Sequence, residues 1–223
     1  MRPGPARACP PPRGSPRGWL FAALLALVLS PAAAAGQDSE LDARVARFLE
    51  RHRYGWRDMN VPATDGQLLH DLVVERGFTR ALEIGTSTGH AASWIAWALS
   101  KTGGRLITIE IDEDRHREAL ENFAAAGLSD YIDARLADAH TLVQELEGPF
   151  DFVFLDADKD WYTRYFQALL PRLAPGGCFT AHNISSRRIG WVAEFLDAVE
   201  ATPDLVTEVV GSMHSGISVS CRR

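Results

Sequence analysis

Little in this chain ties it to a membrane or to nucleic acid. The apolar run over residues 19–29 is shorter than the roughly 20 residues an ordinary membrane-spanning helix needs. There is no basic excess: 23 Lys and Arg face 29 Asp and Glu, a net charge of −6. An acidic chain lacks the electrostatic footprint of a nucleic-acid binder. Cysteine is scarce, with three residues in all. No repeat, low-complexity stretch or linker follows residue 40. The Gly-x-Gly-x-x-Gly fingerprint of dinucleotide-binding folds is also missing after the first apolar strand.

What is present divides unevenly. Arg2, Arg7, Arg13 and Arg17 precede the apolar run, and Pro31 with Ala32 to Ala35 follows it. A basic segment, a short apolar core and small residues match a secretory signal peptide, cleaved after Ala35 or one residue earlier. The expected location is outside the cytosol, with an uncleaved membrane anchor and an organelle transit peptide as alternatives. The first 35 residues hold four Arg and no acid, so the remainder carries 19 basic against 29 acidic residues, net −10. Residues 36–223 suit one domain with a single sizeable core. Cys9 goes with the leader; Cys178 and Cys221 remain.

Residues 39–53 carry Leu41, Val45, Phe48 and Leu49 at helical spacing. Thr64-Asp65-Gly66-Gln67 reads as a capping box ahead of a second helix that Gly77 ends. From there strands alternate with helices: strands over 81–84, 105–111, 132–137, 150–155 and 178–181, helices over 91–99, 112–127, 139–146, 161–173 and 191–201. Residues 205–210 and 216–221 read as a closing antiparallel pair. This order predicts an α/β fold with a doubly wound, mostly parallel sheet.

The stretch Ala81 to Gly89 organises the rest. A buried strand ends in Glu83, and Gly85 and Gly89 then let the backbone approach a ligand. A carboxylate there would repel a pyrophosphate but suits a cationic or hydroxyl-bearing ligand. Glu110 ends the second strand, where an acid can accept hydrogen bonds from ribose hydroxyls. Asp156-Ala157-Asp158-Lys159-Asp160 follows the apolar strand Phe152 to Leu155 and places four charges at the sheet's carboxyl edge. Ala181-His182-Asn183 ends the next strand.

Met59-Asn60-Val61, Glu83 to Gly89, Leu106 to Ile111 and Phe152 to Asp160 together resemble a class I S-adenosylmethionine (SAM) methyltransferase. More narrowly they resemble the cation-dependent catechol and caffeoyl-CoA O-methyltransferases. The resemblance implies a Rossmann-like, seven-stranded sheet of order 3-2-1-4-5-7-6 with strand 7 antiparallel. It implies SAM bound by Val61, Glu83, Gly85, Thr86, Gly89, Ala91, Glu110, Asp138, Ala139 and Asp158. Asp138 also suits a helix N-cap, and Asp160 is read as an N-cap before Trp161. The resemblance further implies Lys159 as general base beside Asp156, and a divalent cation of the Mg or Mn type held by Asp156, His182 and Asn183. Two positions depart from it. Ala91 stands where relatives often carry a Ser that binds the cofactor carboxylate. His182 stands where they usually carry an Asp, and an imidazole suits Mn, Fe, Co, Ni or Zn better than Mg.

The acceptor implied is a small hydroxylated, catechol-like molecule. Its walls are expected from residues 53–58, with Tyr54 and Trp56 as aromatic candidates unless they pack the leading helix, and from the loop after Asn183 and residues 211–215. Rival readings are a nicotinamide-dependent oxidoreductase and a SAM-binding protein without catalysis. A homodimer is left open. In the implied sheet Cys178 and Cys221 lie on neighbouring strands; two reduced core thiols are the reading adopted, with a disulfide as the alternative.

Overall fold

The computed structural model describes residues 31–56, 59–211 and 216–223. Its strands are β1 (Arg80–Ile84), β2 (Arg105–Glu110), β3 (Ile132–Leu136), β4 (Phe150–Leu155), β5 (Leu173–Ala181), β6 (Leu205–Val210) and β7 (Ile217–Arg222). They form one sheet of order β3-β2-β1-β4-β5-β7-β6. The first five are parallel, and β7 runs antiparallel to both of its neighbours. The sheet order and polarity are those the family resemblance implied.

Strand β4 explains the layering. Its side chains alternate between faces: Phe152 and Phe154 enter one core with Leu69, Trp94 and Ile95, while Val153 and Leu155 enter the other with Tyr162, Phe166 and Phe195. Both faces are covered, which is why the strand reads as a continuous apolar run. Helices α1 (Pro31–His52), α2 (Ala63–Arg76), α3 (His90–Thr102) and α4 (Glu113–Ala126) supply the first core. Helices α5 (Ala139–Glu145), α6 (Tyr162–Leu169) and α7 (Gly190–Glu200) supply the second. Helices on both faces leave the carboxyl ends of the parallel strands as the open edge where ligands bind.

Several local expectations are corrected. Helix α1 starts at Pro31, not at residue 39, so the expected cleavage point falls inside it. Residues 1–30, with most of the expected leader, lie outside the described residues. The capping box at Thr64 does not form. Pro62 is the N-cap, and its carbonyl accepts from the Asp65 and Gly66 amides, so Thr64 to Gln67 lie within the first turns. Gln67 donates to Asp71 instead. Asp158, not Asp160, caps the turn before α6, accepting from the Asp160 amide at 3.1 Å. Strand β5 starts at Leu173 and passes through Pro175 to Gly177, absorbing the irregularity as a register shift against β4. Cys178 and Cys221 are joined as a disulfide. They stand directly opposite each other in the antiparallel β5–β7 register, so their side chains share one face.

Candidate functional site

A cavity of about 670 Å³ opens at the carboxyl ends of β1 to β5. Of the residues singled out in the sequence, Gly85, Glu110, Asp138, Ala139, Asp156, Asp158, Lys159, His182 and Asn183 line it. Val61, Glu83, Thr86, Gly89 and Ala91 are buried around it without lining it. Trp56 packs against the first core and stacks on His90, and Tyr54 is exposed, so neither is a wall. The remaining wall candidates at 57–58 and 212–215 lie outside the described residues.

The β1–β2 side is built around backbone. Gly85 has φ 95°, and a Cβ there would lie 2.2 Å from the Asp156 carbonyl oxygen, so only glycine fits. The loop amides do not form an anion cradle. Gly85 and Thr86 donate to the Ile109 carbonyl, Ser87 to Glu110 Oε2 and Gly89 to the Thr86 carbonyl. Glu110 Oε1 also accepts from the Ile111 and Asp112 amides. That carboxylate is thus fixed at the cavity wall, and three bonds leave part of its roughly four-site accepting capacity for a ligand. Ala91 lies in the first turn of α3, where backbone N–H groups lack intrahelical partners. Glu83 accepts from Thr108 Oγ1, and its Oε1 has no partner among the described residues. Burial raises its pKa to about 8 against the opposing Thr108 bond, with the charges of Asp156 and Glu110 adding to the rise.

Asn60 and Val61 brace this side. Asn60 Nδ2 donates to Thr88 Oγ1 at 2.7 Å, and its Oδ1 accepts from the His90 amide. The Val61 carbonyl accepts from His90 Nδ1 at 2.7 Å, while Trp94 Nε1 donates to His90 Nε2 at 3.0 Å. His90 is therefore a neutral tautomer, and burial lowers its pKa to about 4 despite the Val61 bond.

The β4–β5 side is built around charge. Lys159 Nζ donates to Asp156 Oδ1 at 2.5 Å and to the Tyr162 hydroxyl at 2.7 Å. Tyr162 reaches the carbonyls of Leu155 and His182, so it joins the ends of β4 and β5. His182 is buried, with Nδ1 2.9 Å from Asp156 Oδ2 and Nε2 2.9 Å from Asp65 Oδ2. Burial alone would lower the His182 pKa, but its bonds to Asp156 and Asp65 push it up to about 9. Burial alone would raise Asp156; the His182 bond and the Lys159 charge outweigh it and hold that carboxyl below its usual range.

These contacts test the expected metal set, and the residues do not fit it. Both nitrogens of His182 are committed to carboxylates, and each Asp156 oxygen already accepts a bond from a cation. Among the described residues no cluster of three or more His, Cys, Asp or Glu side chains is arranged to hold a metal ion. Asn183 lines the cavity with φ 63°.

Sequence reasoning missed Asp65, which is 117 residues from its partner His182, and Tyr162. It also missed His140, which lines the cavity and stacks on Trp161 with ring centroids 3.8 Å apart. Among the described residues, the non-glycine residues with positive φ, Met59, Ser87 and Asn183, all line the cavity. Such conformations are concentrated at functional sites.

A parallel sheet closed by this antiparallel β7, with a ligand cavity at its switch between β1 and β4, defines a Rossmann-like methyltransferase fold. The family model described as O-methyltransferase matches residues 33–208, and the chain belongs to that family. It is 37% identical over 149 residues to a catechol O-methyltransferase of Niastella koreensis, covering 65% of this chain and 67% of that protein. It is 33% identical over 131 residues to caffeoyl-CoA O-methyltransferase 2 of Zea mays, covering 56% of this chain and 49% of that protein. The chain thus spans about half the length of that plant relative. Among solved structures, the O-methyltransferase from Bacillus cereus in complex with SAH is similar at TM-score 0.68 and 26% identity, covering 89% and 94% of the two chains. The O-methyltransferase TomG from Streptomyces achromogenes, in complex with SAM, is similar at TM-score 0.69 and 25% identity, covering 84% and 96%.

Proposed function

We propose that this enzyme transfers the methyl group of SAM to a hydroxyl of a small, catechol-like aromatic acceptor. The observation that carries the reading is Lys159 in the wall of the cavity that Glu110 and Gly85 also line. Bound SAM supplies a methyl group activated by its sulfonium. Glu110 accepts from the ribose hydroxyls, and the first-turn amides of α3 after His90, whose own amide is held by Asn60 Oδ1, serve the carboxylate in place of the missing Ser at Ala91. Asp138 and Ala139 border the adenine. Loop amides turned inward fit a cofactor without a pyrophosphate, which weighs against a nicotinamide dinucleotide.

Lys159 is the group that meets the acceptor oxygen. An ammonium has three N–H bonds; two go to Asp156 and Tyr162, and the third serves the acceptor. A donor aimed at that oxygen stabilises the negative charge it gains as its proton leaves. For Lys159 to take that proton it must first give up one of its own. Metal assistance finds no support in the donor set of Asp156 and His182.

The test is incubation of full-length protein with SAM and a panel of catechols, with mass spectrometry for S-adenosylhomocysteine and methylated product. Calorimetric SAM binding without product on any acceptor would favour a non-catalytic binding protein. The paired Cys178 and Cys221, with the leader-like N-terminus, support an oxidising compartment outside the cytosol. Thiol titration of the native protein should then find no free thiol after cleavage, or Cys9 alone if the N-terminus is retained; free Cys178 and Cys221 would contradict that location.

A further inference from the structure

We propose that the enzyme needs no divalent cation, because His182, which the family resemblance makes a metal ligand, is seated between Asp65 and Asp156 with both ring nitrogens engaged. The inference rests on the methyltransferase reading of the same cavity.

The argument is one of donors and charge. An ionised carboxylate only accepts hydrogen bonds, so each ring nitrogen facing one must carry a hydrogen. His182 faces two, at 2.9 Å on either side. With a hydrogen on each nitrogen the imidazole has no lone pair left for a metal. The remaining oxygen of Asp156 is held by Lys159 at 2.5 Å. The cluster is already neutral: Asp65 and Asp156 are balanced by His182 and Lys159. A divalent ion would have to displace one of these cations and break its bonds.

The side chains of His182 and Asp65 are only 6% and 5% exposed. Displacing His182 would leave a charge uncompensated in the interior, a strongly unfavourable change. The three residues come from α2, β4 and β5, so His182 bridges separate elements as a bound ion would. It also differs from an ion. Neither nitrogen is spare, so His182 acts through Asp156 and does not meet the acceptor; it is a positioning residue. On this side of the cavity Lys159 is left as the cation with an N–H to offer the substrate.

The experiment is calorimetric titration of full-length, chelator-treated protein with MgCl₂ and with MnCl₂, beside turnover on SAM and a catechol with and without EDTA. The expected result is no saturable metal heat and equal turnover in EDTA, Mg and Mn. Stoichiometric metal binding would overturn the proposal. So would a loss of about tenfold or more in EDTA that metal restores, equivalent to about 1.4 kcal/mol of barrier.

The second arm is His182→Asp, which frees the position and restores an oxygen donor. It should acquire a saturable Mn heat and EDTA-sensitive turnover, which a merely structural histidine would not confer. A folded His182→Asp protein without that heat shows that something other than His182 keeps metal out, and it overturns the assignment. If His182→Asp does not fold, the wild-type titration still decides. That titration needs no acceptor, so it also stands if no methyl transfer is found and the functional reading fails separately.

Discussion

Two buried histidines brace opposite sides of one cavity and carry opposite charge states. His90 gives Nδ1 to the Val61 carbonyl and receives Trp94 on Nε2, so one nitrogen donates and the other accepts. His182 has a carboxylate on each nitrogen, so both donate. They are 3% and 5% exposed, so burial does not separate them. The neighbours do. A carbonyl and an indole leave His90 neutral, a hydrogen-bonded brace beside the Glu110 carboxylate. Asp65 and Asp156 make His182 a cation and the acceptor side an ionic cluster. Residue type and depth therefore say little about what a histidine does until its second nitrogen is traced.

The comparison breaks most sharply at His182→Ala. Asp65 and Asp156 would then face each other without a cation between them. Removing one member of such a buried ionic group costs about 3–5 kcal/mol, to be read from urea denaturation at neutral pH. An unchanged midpoint would mean that His182 is not a cation there.

Lys159→Ala removes the other cation on Asp156. Turnover should fall roughly 10²–10⁴-fold, while SAM affinity, measured by calorimetry, stays nearly intact because the β1–β2 side is untouched. Parallel collapse of SAM binding would make Lys159 structural.

The two histidines should also divide the pH dependence of stability. His90 has its pKa lowered to about 4. Its contribution is present above the unfolded value near 6.5 and is lost as pH falls from there through about 4. His182 is raised to about 9; its contribution is full below 6.5 and is lost as pH rises through about 9. Each window spans on the order of 3 kcal/mol. Buried Glu83, raised to about 8, loses its contribution as pH rises from about 4.5 through about 8, opposing the His90 limb and overlapping the His182 one, so variants must be compared with wild type. His90→Gln should flatten the acid limb and His182→Gln the alkaline limb of the denaturation midpoint. The same limb flattening in both would erase the distinction.

The smallest effect is expected on the cofactor side. Glu110→Ala should weaken SAM binding by about 1.5–3 kcal/mol, the value of a hydrogen bond to a charged partner. It should leave the His182 cluster and its alkaline limb unchanged. Unaltered SAM affinity would remove Glu110 from the cofactor site.

The fold was legible because its signals are periodic and local. The alternation of apolar strands and capped helices gave the α/β class, and the strand order came with the family resemblance that the motifs carry. The positions of Gly85, Glu110, Asp156, Lys159 and His182 at strand ends followed from the same pattern. Partners far apart in sequence were not legible. Asp65 looked like part of a capping box because Thr64 and Gln67 flank it at that spacing, and only the approach of α2 to β5 gives it His182. Tyr162 looked like one more aromatic of an amphipathic helix. The commitment of the loop amides to Ile109 and Glu110 depends on strand pairing, which no local pattern shows. The disulfide needed the β5–β7 register, known from the sheet and not from the spacing of two cysteines.

The central claim is that His182 is a cation held by two carboxylates and not a metal ligand, and ring-nitrogen NMR tests it most directly. The measurement is a long-range ¹H–¹⁵N spectrum of histidine-labelled protein at neutral pH, assigned with His182→Gln and His90→Gln. The account predicts two protonated nitrogens for His182, and one protonated and one bare nitrogen for His90 in the same spectrum. A bare nitrogen on His182 would contradict it, and a resonance that shifts on adding Mg or Mn would return His182 to the role of metal ligand.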